Sequence, residues 1–167
     1  MKSVKKIVFS GLFAALACIA TLLIQITLPG GGYFNFGDCV VVVSGAVLGP
    51  LFGFFSAGIG SCLADVFSGY VIYAPATFLI KGLMSLVMAL IYKKTKKIPI
   101  IAVGALCSEL LMVLGYFLYE TFLSGSAYAA LSGVPGNLMQ GLVGLISSVV
   151  LIILITKNKV INKFLNE

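Results

Sequence analysis

Five charged residues stand inside long apolar runs: Asp38, Asp65, Lys81, Glu109 and Glu120. One such charge at the centre of a bilayer costs about 2.5–3.5 kcal/mol on insertion scales. Together they cost on the order of 10 kcal/mol, comparable to the net stability of a whole domain. They must pair, face a wet cavity, or sit near an interface. Helical spacing gathers them. Glu109, Val113, Tyr116 and Glu120 fall on one helix face, as do Asn137, Gln140, Gly141 and Gly144, and Thr77 and Lys81 are one turn apart. Three polar stripes at one depth describe a pocket open on one side of a membrane, roofed by loops carrying Asn35, Tyr70 and Tyr73.

Lys81 is the lysine that stands apart, because the other ten of the eleven lie at the ends of apolar segments. Three readings of it stand: its stem snorkels to the outer interface, it forms a structural ion pair with Asp65, or it contacts a substrate. Glu120 reads either as an interfacial residue or as part of the pocket wall. Tyr116 reads as packing, or as a ring on which a flat ligand stacks. Glu109 lies near mid-span, where a carboxylate is a functional residue by default.

Other chemistry is poorly supplied. Cys18, Cys39, Cys62 and Cys107 are isolated in apolar surroundings, with no CxxC pair and no histidine to complete a zinc site. They read as small buried apolar residues, and no metal or cofactor is expected. No G-x-x-x-x-G-K-[ST] motif occurs, so ATP binding of the P-loop kind is not expected. No nucleophile–base pair suggests an enzyme. The net charge of +6 comes from lysines without a single arginine. Their grouping at segment ends points to a membrane rather than to nucleic acid.

The elements that must position these residues follow from composition. The chain is 60% hydrophobic and 10% charged over 167 residues, against about 25% charged for a usual globular protein. An all-α membrane protein with one domain over 1–167 is expected. Punctuation suggests six transmembrane helices near 7–27, 36–48, 51–69, 76–92, 98–122 and 134–156. The first ends at Pro29–Gly32 and the second at Gly49–Pro50. The start resembles a signal peptide but reads as an uncleaved first helix. The second and fourth runs are short for the roughly 20 residues a span needs, so they are tilted or the loops before them dip inward.

Lysine groups fall at the N-terminus, between spans four and five, and at the C-terminus. The intervening loops 28–36, 69–75 and 123–133 contain none. By the positive-inside rule both termini are cytoplasmic. The tail 157–167 alternates basic and apolar residues and is expected to lie along the inner surface of the bilayer. Gly45, Gly49, Gly53, Gly58 and Gly60 would let helices approach closely. In the first span, Gly11, Ala14, Ala15 and Cys18 make a stripe of small residues, suited to internal packing or to docking another protein.

The segment NFGDCVVVVSGAVLGPLFGFFSAGIGSCLAD, Asn35 to Asp65, resembles the substrate-binding (S) components of energy-coupling factor (ECF) transporters. The following YAPATFLIKGL is similar to the subgroup for hydroxymethylpyrimidine or pyridoxine uptake. The resemblance implies an S-component bundle in a bacterial cell membrane that binds a vitamin outside and cannot pump alone. A membrane scaffold subunit (EcfT-like) and two ATPase subunits would supply the energy, and the binding component would topple to deliver its cargo. Docking on the scaffold would use Gly11, Ala14, Ala15 and Cys18, although the family's A-x-x-x-A pattern is represented here by Ala14-x-x-x-Cys18 and Gly11-x-x-x-Ala15.

Carried over by position, the substrate site would comprise Asn35, Thr77, Lys81, Glu109, Tyr116, Glu120, Asn137 and Gln140, with Tyr70 and Tyr73 above. The expected cargo is a small heteroaromatic alcohol, pyridoxine-like first and hydroxymethylpyrimidine second. The rival reading is a proton-coupled secondary transporter with Glu109 and Asp65 as relays.

Overall fold

A computed structural model describes residues 3–27 and 33–158. Its elements are α1 (Ser3–Leu23), β1 (Ile26–Thr27), β2 (Tyr33–Phe34), α2 (Gly37–Leu48), α3 (Pro50–Phe67), α4 (Ala74–Lys94), α5 (Ile98–Ser124), α6 (Ala127–Ala130) and α7 (Val134–Lys157). From α2 onward, the long helices begin and end within two residues of the expected runs. The first helix stops early, at Leu23. The chain then forms an antiparallel hairpin in which Ile26 faces Phe34 and Thr27 faces Tyr33. An all-helical expectation misses this ribbon, and it misses the single turn of α6. The Pro29–Gly32 stop and most of the tail, 159–167, lie outside the described residues.

Among the described residues, five helices are long and apolar enough to cross a membrane: α1, α3, α4, α5 and α7. α2 has 12 residues, which rise about 18 Å against a hydrocarbon core of about 30 Å. It is an apolar helix shorter than a span, as its short run suggested, whereas α4, expected to be short as well, has 21 residues and is long enough to cross. The outward surface is apolar: Ile7, Leu79, Leu110, Leu118 and Ile146 are all exposed.

α2 and α3 are joined by Gly49 alone. Its φ of +82° suits glycine, and Pro50 then opens α3 at a position that needs no N–H. Small residues let α2, α3 and α4 pack closely. A Cβ on Gly53 would lie 2.9 Å from the Gly45 Cα and 2.7 Å from Ser85 Oγ. Beside them, Ser44 and Ser85 share a hydrogen bond of 3.0 Å. α1 packs on α3 in the same way, where Gly60 meets the backbone of Ala14. Around these contacts Val41, Val42, Met84, Met88, Met112 and Ile101 form the apolar core.

The bundle has two chemically distinct ends. Lys6 and Lys93 line one groove with Gly49 and Pro50, and Tyr92 at the end of α4 bonds Thr156 at the end of α7 at 2.9 Å. At the other end, Tyr33, Tyr70, Tyr73 and Tyr119 form a run of tilted and edge-to-face rings, with centroids 4.9, 6.1 and 5.8 Å apart.

Candidate functional site

Beneath the tyrosines, a pocket opens between α1, the hairpin, α3, α4, α5 and α7. α4 contributes Thr77 and Lys81, with Tyr73 just before it. α5 contributes Tyr116 and Glu120, α7 contributes Asn137 and Gln140, and the segment entering α2 contributes Asn35. Four further wall residues come from elsewhere: Thr21 of α1, Tyr33 of β2, and Ser61 and Asp65 of α3. The empty space, mouth included, is about 430 Å³, but only about 30 Å³ of it admits the centre of a water molecule. One water needs at least about 10–15 Å³ by that measure. Most of that space is therefore too narrow to hold a water molecule.

The floor is a continuous polar chain. The Asn35 backbone N–H donates to Gln140 Oε1 at 2.9 Å, and its side-chain amide does so at 3.2 Å. Gln140 Nε2 donates to Asp38 Oδ2 at 2.7 Å. The Lys81 ammonium closes the chain on Asp38 Oδ1 as a hydrogen-bonded ion pair. Lys81 is 2% exposed and Asp38 1%. Such a pair persists because each charge meets the other and further donors fill the remaining lone pairs. The Lys81 ammonium also lies 5.4 Å from the Tyr116 ring centre.

Of the readings open for Lys81, an internal ion pair is present, with Asp38 rather than the candidate Asp65 as its partner. Asp38 stands in the first turn of α2, which the short hairpin-to-helix connection places against α4. Asp65 instead accepts the Tyr33 hydroxyl at 2.6 Å. Burial, reinforced by that bond to Asp65, pushes the Tyr33 hydroxyl well above its ordinary range. Burial also raises Tyr73, followed by the nearby Glu120 and then Tyr119, Tyr70 and Asp65. Thr77 and Tyr116 share a hydrogen bond of 2.9 Å.

Of the ten residues expected at a substrate site, eight line this pocket: Asn35, Tyr73, Thr77, Lys81, Tyr116, Glu120, Asn137 and Gln140. Tyr70 stands behind the wall, packed on Tyr33 and Tyr73. Glu109 lies below the floor, where Gly141 and Gly144 of α7 close over it. Neither of its oxygens meets a hydrogen-bond partner among the described residues, and its charged neighbours are Asp38 and Lys81. The missed wall residues left some trace in the sequence. Ser61 and Asp65 are one helical turn apart, and Thr21 is a polar residue in an otherwise apolar stretch of α1.

The small-residue stripe of α1 divides in two. Ala14 packs against Gly60 and Cys18 is buried, whereas Gly11 and Ala15 are exposed. Together with Leu63 and Phe67 they line a shallow apolar groove on the outside of the bundle.

A model of the family described as "ECF-type riboflavin transporter, S component" matches residues 1–157. A protein of Pyrococcus woesei, described as an uncharacterized protein in gap 3'region, is 34% identical over 129 residues, covering 77% of this chain and 86% of that one. A solved structure of the S component of a bacterial ECF transporter superposes with a TM-score of 0.72 at 21% identity, over 90% of this chain and 94% of its own. The crystal structure of the S-component for biotin from an ECF-type ABC transporter gives 0.59 at 17%, over 94% of each chain. At those identities the two structures bear on the fold alone.

Proposed function

Because this chain belongs to the S-component family of ECF-type transporters, we propose that it captures a small water-soluble vitamin or vitamin precursor for import. It is a multi-pass protein of the cell membrane and a transporter subunit rather than an enzyme. The observation that carries the reading is the buried polar pocket at the tyrosine end, walled by residues of six elements and framed by apolar helices. The lysine end faces the cytoplasm under the positive-inside rule, which turns the pocket outward. An EcfT-like scaffold with two ATPases would supply the energy, docking along the groove at Gly11 and Ala15.

A single-ring heteroaromatic alcohol suits the pocket better than a three-ring flavin. The water-sized void is only about 30 Å³, so a small ring needs modest side-chain displacement and a flavin needs the wall to open. Pyridoxine and hydroxymethylpyrimidine are single rings of that kind, with Tyr116 available for stacking. Calorimetry on the purified chain tests this: one of these ligands, or a close relative, should release heat on saturable binding. No heat with any pyridine or pyrimidine vitamin would sink the substrate reading. Cellular uptake should also vanish when scaffold and ATPases are removed. Uptake that persists without them would point to a self-sufficient carrier.

A further inference from the structure

The charge balance of the pocket is uneven. Among the described residues, the buried charged groups are four carboxylates, of Asp38, Asp65, Glu109 and Glu120, and one ammonium, of Lys81. Lys81 is committed to Asp38. Asp65 and Glu120 both line the pocket, and neither has a salt-bridge partner among the described residues. Among the described residues, Asp65 Oδ2 and Glu120 Oε2 are buried oxygens with no hydrogen-bond partner. Asn137 Nδ2 and Ser61 Oγ, which belong to the same pocket lining, are likewise unpartnered among the described residues. All four residues are 5% exposed or less. A buried polar atom left unpaired costs about 1–3 kcal/mol, and more if charged, so these groups are poised for something that enters the pocket.

We infer that the pocket selects a small organic cation: a flat ring bearing a protonated or amino nitrogen whose N–H groups reach Asp65 and Glu120. Tyr73, Tyr33 and Tyr116 line the same pocket as the two carboxylates. Aromatic faces and carboxylates attract the same sign of charge, which is how aromatic cages hold ammonium groups. Asn137, another lining residue, supplies a donor for a ring nitrogen or oxygen of the ligand. A neutral flavin offers no charge to Asp65 and Glu120. A phosphorylated vitamin would bring an anion to two carboxylates that already lack a counter-charge.

This inference rests on reading the pocket as the substrate site, and the experiment separates the two. The full-length protein in detergent is titrated calorimetrically at neutral pH with two near-isosteric pairs. The first is pyridoxamine against pyridoxine, and the second is hydroxymethyl-aminopyrimidine against its oxo analogue. Pyridoxal phosphate and riboflavin complete the set. The amino member of at least one pair should bind at least about tenfold more tightly. Asp65→Asn or Glu120→Gln should abolish that preference. Asp65→Asn keeps an acceptor for Tyr33, and thermal melting verifies the fold of each variant. If one variant does not fold, the other decides.

No preference in either pair overturns the inference, as does a preference that survives in the folded variants. Tightest binding of the phosphate or of riboflavin overturns it too. If no ligand in the set binds, the substrate-site reading falls with it. If ligands bind without regard to charge, only the cation falls.

Discussion

Replacing Lys81 with Met tests whether this lysine is a structural charge or only a hand extended to cargo. Met keeps most of the apolar stem and removes the ammonium. Asp38 would then be a 1% exposed carboxylate with Gln140 Nε2, at 2.7 Å, as its remaining side-chain donor. Removing one partner of a buried pair costs about 3–5 kcal/mol, because the other charge stays buried. The lost contact with the Tyr116 ring contributes within that range. Taking about 4 kcal/mol, and about 2–4 °C per kcal/mol for a chain of this size, the melting temperature should fall by about 8–16 °C.

Asp38→Asn made on top of Lys81→Met removes the orphaned charge while keeping an oxygen and an amide at the same place. It should recover about 2 kcal/mol of the loss. The assay is thermal unfolding in detergent for the parent, both single variants and the double, with ligand affinity measured in parallel. A Lys81→Met protein that melts within about 2 °C of the parent but no longer binds ligand would refute the structural pair and leave cargo contact as the role. A double variant no more stable than Lys81→Met would refute the orphaned-charge argument.

Three further substitutions probe the site and the frame around it. Gly60→Val should cost at least about 3 kcal/mol or abolish folding, because a side chain there meets the Ala14 backbone. Gly11→Leu, with nothing within 4 Å of the added carbon, should leave melting and ligand binding unchanged while spoiling co-purification with a scaffold subunit; normal assembly and transport would remove the docking claim. Gln140→Leu leaves the Asn35 N–H and Asp38 Oδ2 without their partner and should destabilise by about 1–3 kcal/mol. Faster amide exchange at Asn35 is the specific sign to look for, and unchanged exchange there would argue against the floor network.

The sequence by itself determined what depends on local order along the chain. Apolar runs and their Gly and Pro breaks place the helices, because a helix in lipid must bury its own hydrogen bonds and needs a minimum length. The 109–113–116–120 spacing lines up one face of α5, because 3.6 residues per turn is a property of the backbone. Lysine grouping marks one end, because charge is read one segment at a time.

Only the tertiary structure decided which groups meet across helices. Asp38 and Asp65 are both acids near an orphan lysine in an apolar chain, and nothing in their spacing ranks them. The choice of Asp38 follows from how α2 rotates against α4 where Gly45, Gly53 and Ser85 let the backbones close in. Glu109 shares a face with Tyr116 and Glu120, yet it leaves the pocket because the glycines of α7 pack over it. Tyr33 enters because the chain leaves α1 four residues early and folds into a hairpin that carries its hydroxyl to Asp65. Helix existence is a one-dimensional property of this chain. The identity of the pocket wall is a matter of rotation, depth and close approach, set when the helices pack.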